Sequence, residues 1–159
     1  MVLIKYIHCY AAGLHFTHKQ FCLSILSAIL EFFNTLKKVP HPKEIQAIYS
    51  MSKGCYGLRK LVLKIWIQRS HLGLRYLTEQ WDDIPEQFLH DLQDSKDQFP
   101  FLYWYQPRVD LALELNEIQP DLMAALDRDL EEAIAAAAEE IEDIPEYSES
   151  IKIENLSSF

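Results

Sequence analysis

The sequence predicts an all-α fold, an irregular bundle of five to six helices followed by an acidic helical arm and a disordered tail. Apolar residues make up 49% and aromatic residues 12% of the 159 residues, which is enough to build a core and excludes a wholly disordered chain. Only four Gly and seven Pro are present, and an all-β domain would need more of them for its tight turns. Apolar side chains recur with the period of amphipathic helices along most of the N-terminal half.

The first two helices are predicted to form an antiparallel hairpin. Residues 2–14 carry apolar side chains on one face, and Gly13 is placed to end this helix. A longer helix follows over residues 16–38, with Thr17 as its N-cap and Gln20 completing a capping box. The apolar stripe of this second helix is wide, so we expect the helix to be buried on most sides.

Two further helices are predicted in the N-terminal half. Pro42 and Glu44 are typical of a first helical turn, and the helix that they start would point Ile45 and Ile48 inward. Residues 58–70 are apolar nearly all round, which is the pattern of a helix at the centre of a bundle.

The C-terminal half begins with an acidic run at residues 82–86, which supplies capping residues for a helix that carries Phe88 and Leu92. The aromatic segment at residues 99–105 is either a flap over the bundle or an exposed anchor for a partner. Residues 121–143 are rich in Ala, Leu and Glu and are helical by propensity. Their apolar stripe is narrow and fades into alanine, so we expect this helix to bury little and to lie outside the compact body.

These patterns divide the chain into three parts: a bundle over residues 1–105, an acidic helical extension over residues 106–143 and a disordered tail over residues 144–159.

The formal net charge is −9, but its distribution is uneven. Residues 1–80 carry 11 Lys and Arg against 3 Asp and Glu, whereas residues 81–159 carry 4 against 21. Such a division predicts an interaction protein, because the two halves attract each other and also attract oppositely charged partners.

Several short motifs follow one another over residues 1–104. They are Ile4-Lys5-Tyr6-Ile7 with Ala11-Ala12-Gly13-Leu14, Phe21 to Leu26, Val39-Pro40 with Glu44-Ile45 and Ala47-Ile48-Tyr49, Gly57-Leu58-Arg59-Lys60-Leu61-Val62, Trp66, and Pro85-Glu86-Gln87-Phe88 with Leu89-His90-Asp91-Leu92. Their order and spacing resemble the helical part of fungal BTB/POZ proteins, which lies C-terminal to the strand-bearing core of those domains. The motif at Gly57 is the most specific, being similar to the family's S-x-L-R-x-L-V stretch.

The resemblance implies a partner-binding module, a truncated BTB-like adaptor. The strand-bearing core and its dimerisation surface do not precede Met1 in this sequence, so we expect either a fragment or a shortened paralogue that lost dimerisation. Surface left apolar by the missing half predicts that the N-terminal hairpin binds a protein partner or self-associates. The residues expected on that surface are Leu3, Ile7, Tyr10 and Leu14.

No residue pattern predicts catalysis or a cofactor. The chain contains no G-x-S-x-G elbow and no glycine-rich phosphate loop, so we expect a non-enzymatic protein. Zinc ligands of the right types occur at His15, His18, Cys22 and Cys9, but only His18 and Cys22 share a helical face, so no metal site is predicted.

The cysteines and the hydropathy of the sequence indicate the cellular compartment of the protein. The three cysteines are an odd number without C-x-x-C spacing, which is typical of free thiols in a reducing compartment. No secretory signal begins the sequence, and no stretch reaches the roughly 20 apolar residues that a membrane-spanning helix needs. We therefore expect a cytoplasmic or nuclear protein with no membrane partner.

Basic residues cluster in and around the fourth helix, and two interpretations are open. One is a nucleic-acid or chromatin-associated regulator with an autoinhibitory acidic tail, since phosphate neutralisation needs clustered Lys and Arg. The other, which we favour, is that these charges rim a buried helix and face the chain's own acidic extension, which would compete with phosphates in cis. The residues concerned are Arg59, Lys60, Lys64, Arg69 and Arg75.

The tail contains one candidate modification site. Ile151-Lys152-Ile153-Glu154 resembles the acceptor pattern for conjugation of a small ubiquitin-like modifier. A disordered tail would leave Lys152 accessible, as such chemistry requires. The alternative is a chance match in an unmodified tail.

Overall fold

The computed structural model describes residues 2–51, 55–69, 76, 79–98 and 115–142. Over these residues the fold is all-α, as predicted. The helices are α1 (Val2–His15), α2 (Lys19–Leu36), α3 (Pro42–Tyr49), α4 (Tyr56–Gln68), α5 (Glu86–Gln98) and α6 (Leu115–Glu142), and a 3₁₀ turn at Trp81–Asp83 precedes α5. The aromatic segment at residues 99–105 and the tail at residues 144–159 lie outside the described residues.

The hairpin of α1 and α2 turns through a Schellman motif. The N–H of His18 donates to the carbonyl of Gly13, and the N–H of Thr17 donates to that of Leu14, both at 2.9 Å. Thr17 takes the left-handed conformation of this motif, with φ of 52°. The predictions that Gly13 ends α1 and that Thr17 caps α2 are therefore wrong. His18 caps α2 instead, because its Nδ1 accepts the N–H of Phe21 at 3.1 Å.

Gly13 lies inside α1, at a point where α2 approaches closely. A Cβ at this position would lie 2.7 Å from Sγ of Cys22 and 2.8 Å from Cδ1 of Phe21, closer than Cβ atoms approach other atoms in proteins. The thiol of Cys22 is buried and lies 3.9 Å from the carbonyl oxygen of Tyr10. Glycine is thus needed here for the close approach of α2.

The helix α3 begins at the residue that the sequence predicted. The N–H of His41 donates to Oε2 of Glu44 at 3.0 Å, and Nδ1 of His41 accepts the N–H of Lys43 at 3.2 Å. These bonds satisfy backbone donors that a helix start leaves free. Ile45 and Ile48 are buried, as predicted.

The helix α4 is central, as its apolar pattern predicted, and packs against α2, α3, α5 and α6. The indole N–H of Trp66 donates to the carbonyl of Pro40 at 3.1 Å, and the Trp66 ring packs edge-on against Phe88 of α5 at 5.1 Å between centroids. The buried apolar side chains of α4 are Leu58, Leu61, Val62, Leu63, Ile65 and Trp66.

The helix α6 begins earlier than predicted and runs through Pro120. Leu122 and Leu126 are only 1% and 0% exposed and belong to the core. The expectation that this acidic stretch buries little and lies outside the compact body is therefore wrong for its first half, because the apolar surface of α4 extends to the side that α6 covers. Leu130 and Ala133 still pack against the core, whereas Ile134 is 55% exposed, so α6 leaves the core at about this point.

Candidate interaction surface

A buried carboxylate attaches α6 to the bundle. Oδ2 of Asp129 accepts the Tyr10 hydroxyl at 2.6 Å and the N–H of Gly57 at 2.9 Å, and Oδ1 accepts the N–H of Tyr56 at 2.7 Å. The two amides open α4, whose own N-cap residue Cys55 makes no side-chain cap bond. Asp129 thus caps α4 from another helix, where a negative charge also meets the positive end of the helix dipole.

Burial controls the protonation of the groups around Asp129. It raises the pKa of Asp129 above the ordinary value, although hydrogen bonds from Tyr10 and from two backbone amides oppose the change. Burial, followed by the charge of Asp129, also raises the pKa of Tyr10. The pKa of the Cys22 thiol is raised to about 11 and that of Cys55 to about 12, mainly by burial. Both thiols are protonated near neutral pH and are weak nucleophiles.

Arg69 was predicted on a basic surface, but its side chain is 2% exposed. Nη1 donates to the carbonyls of Phe33 and Lys38, both at 2.8 Å, and Nη2 donates to Oδ1 of Asn34 at 2.9 Å. The assignment of Arg69 to a surface is therefore wrong. Its position at the end of α4 brings the guanidinium to the C-terminus of α2, where unsatisfied carbonyls attract a cation.

Arg59 serves a similar role at the end of α3. Its Nη2 donates to the carbonyls of Tyr49 and Met51 at 3.4 and 3.3 Å, and its Cζ lies 4.8 Å from the centre of the Tyr49 ring. The side chain is half-buried. Arg59 is therefore largely occupied by contacts within the chain.

The other predicted basic residues have different surroundings. Lys60 is exposed. Lys64 forms an ion pair with Asp121 of α6 at 2.7 Å, and its hydrogen bond to that carboxylate lowers the pKa of Asp121. At Lys64 the basic face therefore meets the chain's own acidic helix, as expected. Arg75 and the candidate modification site Lys152 lie outside the described residues.

The four residues predicted to form a partner surface are buried in the core. The helix that carries them, α1, packs against α2, α3 and α6 of the same chain. Because these helices cover the apolar face of α1, the face is not bare, and the assignment of a partner surface to it is wrong. The residues are Leu3, Ile7, Tyr10 and Leu14.

Exposed aromatic side chains lie instead at the turn between α1 and α2. Phe16 is 75% exposed and Phe21 is 41% exposed. The ring of His15 meets Phe16 edge-on at 5.2 Å between centroids, and the ring of His18 meets Phe21 at 6.3 Å. We call these four residues the aromatic corner. The exposure of Phe16 was not predicted, because the sequence placed it at the start of a helix that was expected to be buried on most sides.

A groove of about 230 Å³ separates the end of α1 from the second half of α6. Its apolar lining includes Leu14 and Ala136, and its polar lining includes His15, Glu132 and Glu140. His15 thus belongs to both the aromatic corner and this α1–α6 groove.

A larger groove of about 520 Å³ lies between α4, α5 and α6. Several of its charged groups are bonded within the chain. Asp91 accepts the Tyr49 hydroxyl at 2.7 Å, and Arg128 donates to the Tyr56 hydroxyl at 2.8 Å. The charged residues that line the groove are Arg59, Lys60, Asp91, Asp94, Asp121 and Arg128. With both signs of charge present, it does not select a ligand of one sign.

Within the described ranges, no group of three or more His, Cys, Asp or Glu side chains is arranged to hold a metal ion. None of the helices in that part of the chain combines the length and hydropathy needed to cross a membrane. No family model, no curated protein and no solved structure matches the chain. The relationship to BTB/POZ proteins therefore stays a prediction from the motifs.

Proposed function

We propose that the chain is a non-enzymatic protein–protein interaction module that binds a partner through the aromatic corner, an adaptor of the kind that its BTB-like motifs imply. The observation that carries this proposal is the exposure of Phe16 and Phe21 at one tight turn. Aromatic side chains bury a large apolar area on binding and are enriched at the centres of interfaces. Two exposed rings close to one turn of the chain favour an interface more than scattered single residues do.

The buried polar groups support a structural rather than a catalytic role. Asp129 and Arg69 are both hydrogen-bonded to the ends of other helices. The buried thiols of Cys22 and Cys55 have raised pKa values and are weak nucleophiles. Because these buried groups stabilise the bundle, we look for the function on its surface.

The proposal is tested with Phe16→Ser, using Leu36→Ser as the matched control because Leu36 is an exposed apolar residue at the far end of α2. Both variants are purified with their partners from the cells of origin and compared by quantitative mass spectrometry. We expect at least one protein to fall about tenfold with Phe16→Ser and to stay with Leu36→Ser. An identical set of partners for the two folded variants would contradict the proposal.

A nucleic-acid-associated regulator remains the alternative, and two observations weigh against it. Arg69 is buried, and Lys64 and Lys19 are paired with Asp121 and Asp127 of α6. Truncation cannot test the alternative, because α6 contributes to the core. The double variant Asp121→Asn, Asp127→Asn would free the two lysines instead. Steeply salt-dependent binding to an oligonucleotide by this variant would favour the alternative.

A further inference from the structure

The α1–α6 groove lies where α6 leaves the core. Ala133 and Ala136 are half-buried, and Ala135 and Ala137 are exposed. On the opposite side of the groove, Leu14 is buried. The small alanine side chains leave a space beside Ala11 and Leu14 of α1, which larger residues on α6 would have filled.

The size of the groove indicates what it can hold. Its volume of about 230 Å³ is below the range of about 300–1,000 Å³ that is typical of small-molecule sites. This volume accommodates one or two side chains of a protein partner, as when a peptide helix places its apolar anchors in a groove.

The charge around the groove indicates the chemistry of that partner. Glu132 and Glu140 line it, and Glu131 and Glu139 are exposed on the same turns of α6. Within the described part of the chain, these glutamates form one ion pair, between Glu132 and Arg128 at 3.7 Å. A partner segment with Lys or Arg beside its apolar anchor would complement this lining.

We propose that the α1–α6 groove binds a basic amphipathic segment of a protein partner, with an apolar side chain of that segment between Leu14 and Ala136. This inference rests on the proposed function and deepens it by naming the chemistry of the partner. Because His15 joins the groove to the aromatic corner, one partner chain can contact both.

The test uses the full chain and a synthetic amphipathic peptide of leucine and lysine, about 14 residues long so that it can form a helix. A peptide with glutamate in place of lysine is the control for charge. Ala136→Leu fills the groove, and Ala135→Leu adds the same side chain at an exposed position of α6 that does not line it. Both variants keep the net charge, so general attraction of a basic peptide to an acidic protein is the same for each.

We expect Ala136→Leu to weaken binding of the lysine peptide about tenfold in a calorimetric titration, and Ala135→Leu to leave it unchanged. The ring resonances of His15 should shift with added peptide while those of exposed His8, outside the groove, stay in place. Equal affinities for the two variants, or equal binding of the glutamate peptide, would overturn the inference. Either result would leave the proposed function standing, because that proposal is tested separately at Phe16.

Discussion

Asp129 joins three helices through three hydrogen bonds, to a tyrosine hydroxyl of α1 and to two backbone amides of α4. Buried donors that lose their acceptor each cost free energy, because water cannot reach them. We expect Asp129→Ala to lower the free energy of unfolding by about 2–5 kcal/mol. Asp129→Asn should cost less, since its amide oxygen can still accept one of the two N–H groups and its amide NH₂ can donate to the Tyr10 hydroxyl. Urea unfolding measures both.

Asp127→Ala is the matched control for this prediction. Asp127 is two residues away on the same helix, pairs with Lys19 at 2.6 Å and has a side chain that is 51% exposed. Exposed ion pairs contribute about 1 kcal/mol or less. A loss of stability as large as that of Asp129→Ala would show that position along α6, and not burial of the carboxylate, determines the effect.

The stability difference between the wild type and Asp129→Asn should depend on pH. Since burial raises the pKa of Asp129 above its ordinary value of 3.8, the folded protein keeps this proton at a pH where the unfolded chain has lost it. The group therefore contributes most stability below pH 3.8, and the contribution falls as the pH rises through the folded pKa. Denaturation curves across this window should show the wild type losing stability relative to Asp129→Asn. A constant difference would argue against a raised pKa.

Gly57 provides the space in which Tyr10 reaches Asp129. A Cβ at Gly57 would overlap the Tyr10 hydroxyl, and Tyr10 is fully buried. We expect Gly57→Ala to cost about 1–3 kcal/mol, as overpacked core positions do. Combining it with Tyr10→Phe, which removes the hydroxyl, should cost less than the sum of the single changes by about 1 kcal/mol. Strict additivity in this double-mutant cycle would exclude a steric cause.

The role of Asp129 could not be predicted because its partners are distant in sequence. Tyr10 lies 119 positions before it, and the amides of Tyr56 and Gly57 lie 73 and 72 positions before it. In a segment rich in Asp and Glu, one more carboxylate fits a solvated helix face. Periodicity could have found the signal, since Asp129 follows Leu122 and Leu126 on the apolar stripe.

At the scale of elements, α4 takes part in capping three helix ends, namely its own start and the ends of α2 and α3. Its own first amides are capped from α6, and its arginines bond the carbonyl ends of α2 and α3. We expect Arg69→Met to lower the free energy of unfolding by about 2–4 kcal/mol, because it removes the guanidinium donors from the carbonyls of Phe33 and Lys38. Lys60→Met, an exposed change on the same helix, should stay within about 0.5 kcal/mol.

Hydrogen exchange distinguishes a local effect of Arg69→Met from a global one. The amides in the last turn of α2 should lose protection beyond what the change in global stability explains. Uniform loss of protection across α1 to α6 would mean that Arg69 acts only through general packing.

Local signals predicted some helix boundaries well and missed others for identifiable reasons. Pro42 and Glu44 marked the start of α3 correctly, because a capping box is made within four residues. His18 took the capping role expected of Thr17, since the Schellman motif that ends α1 requires Thr17 in the left-handed conformation. The Schellman motif depends on how α1 and α2 pack in the hairpin, and the preferences of single residues for capping positions do not predict it.

At the scale of the whole molecule, the two halves of α6 differ in their part in stability. Leu126 is fully buried and Ile134 is mostly exposed. We expect Leu126→Ala to cost about 2–5 kcal/mol and Ile134→Ala to stay within about 0.5 kcal/mol. Thermal unfolding followed by fluorescence and by circular dichroism measures both. Equal losses would mean that α6 packs as one unit along its whole length.

The cap that Asp129 places on α4 also bears on how the protein is made. A ribosome completes α1 to α4 many residues before it adds Asp129, at about 5–20 residues per second. During that interval the start of α4 has no acceptor from α6, and the apolar side that Leu122 and Leu126 later cover is open to water. The nascent chain is therefore open to aggregation through this apolar surface until α6 emerges.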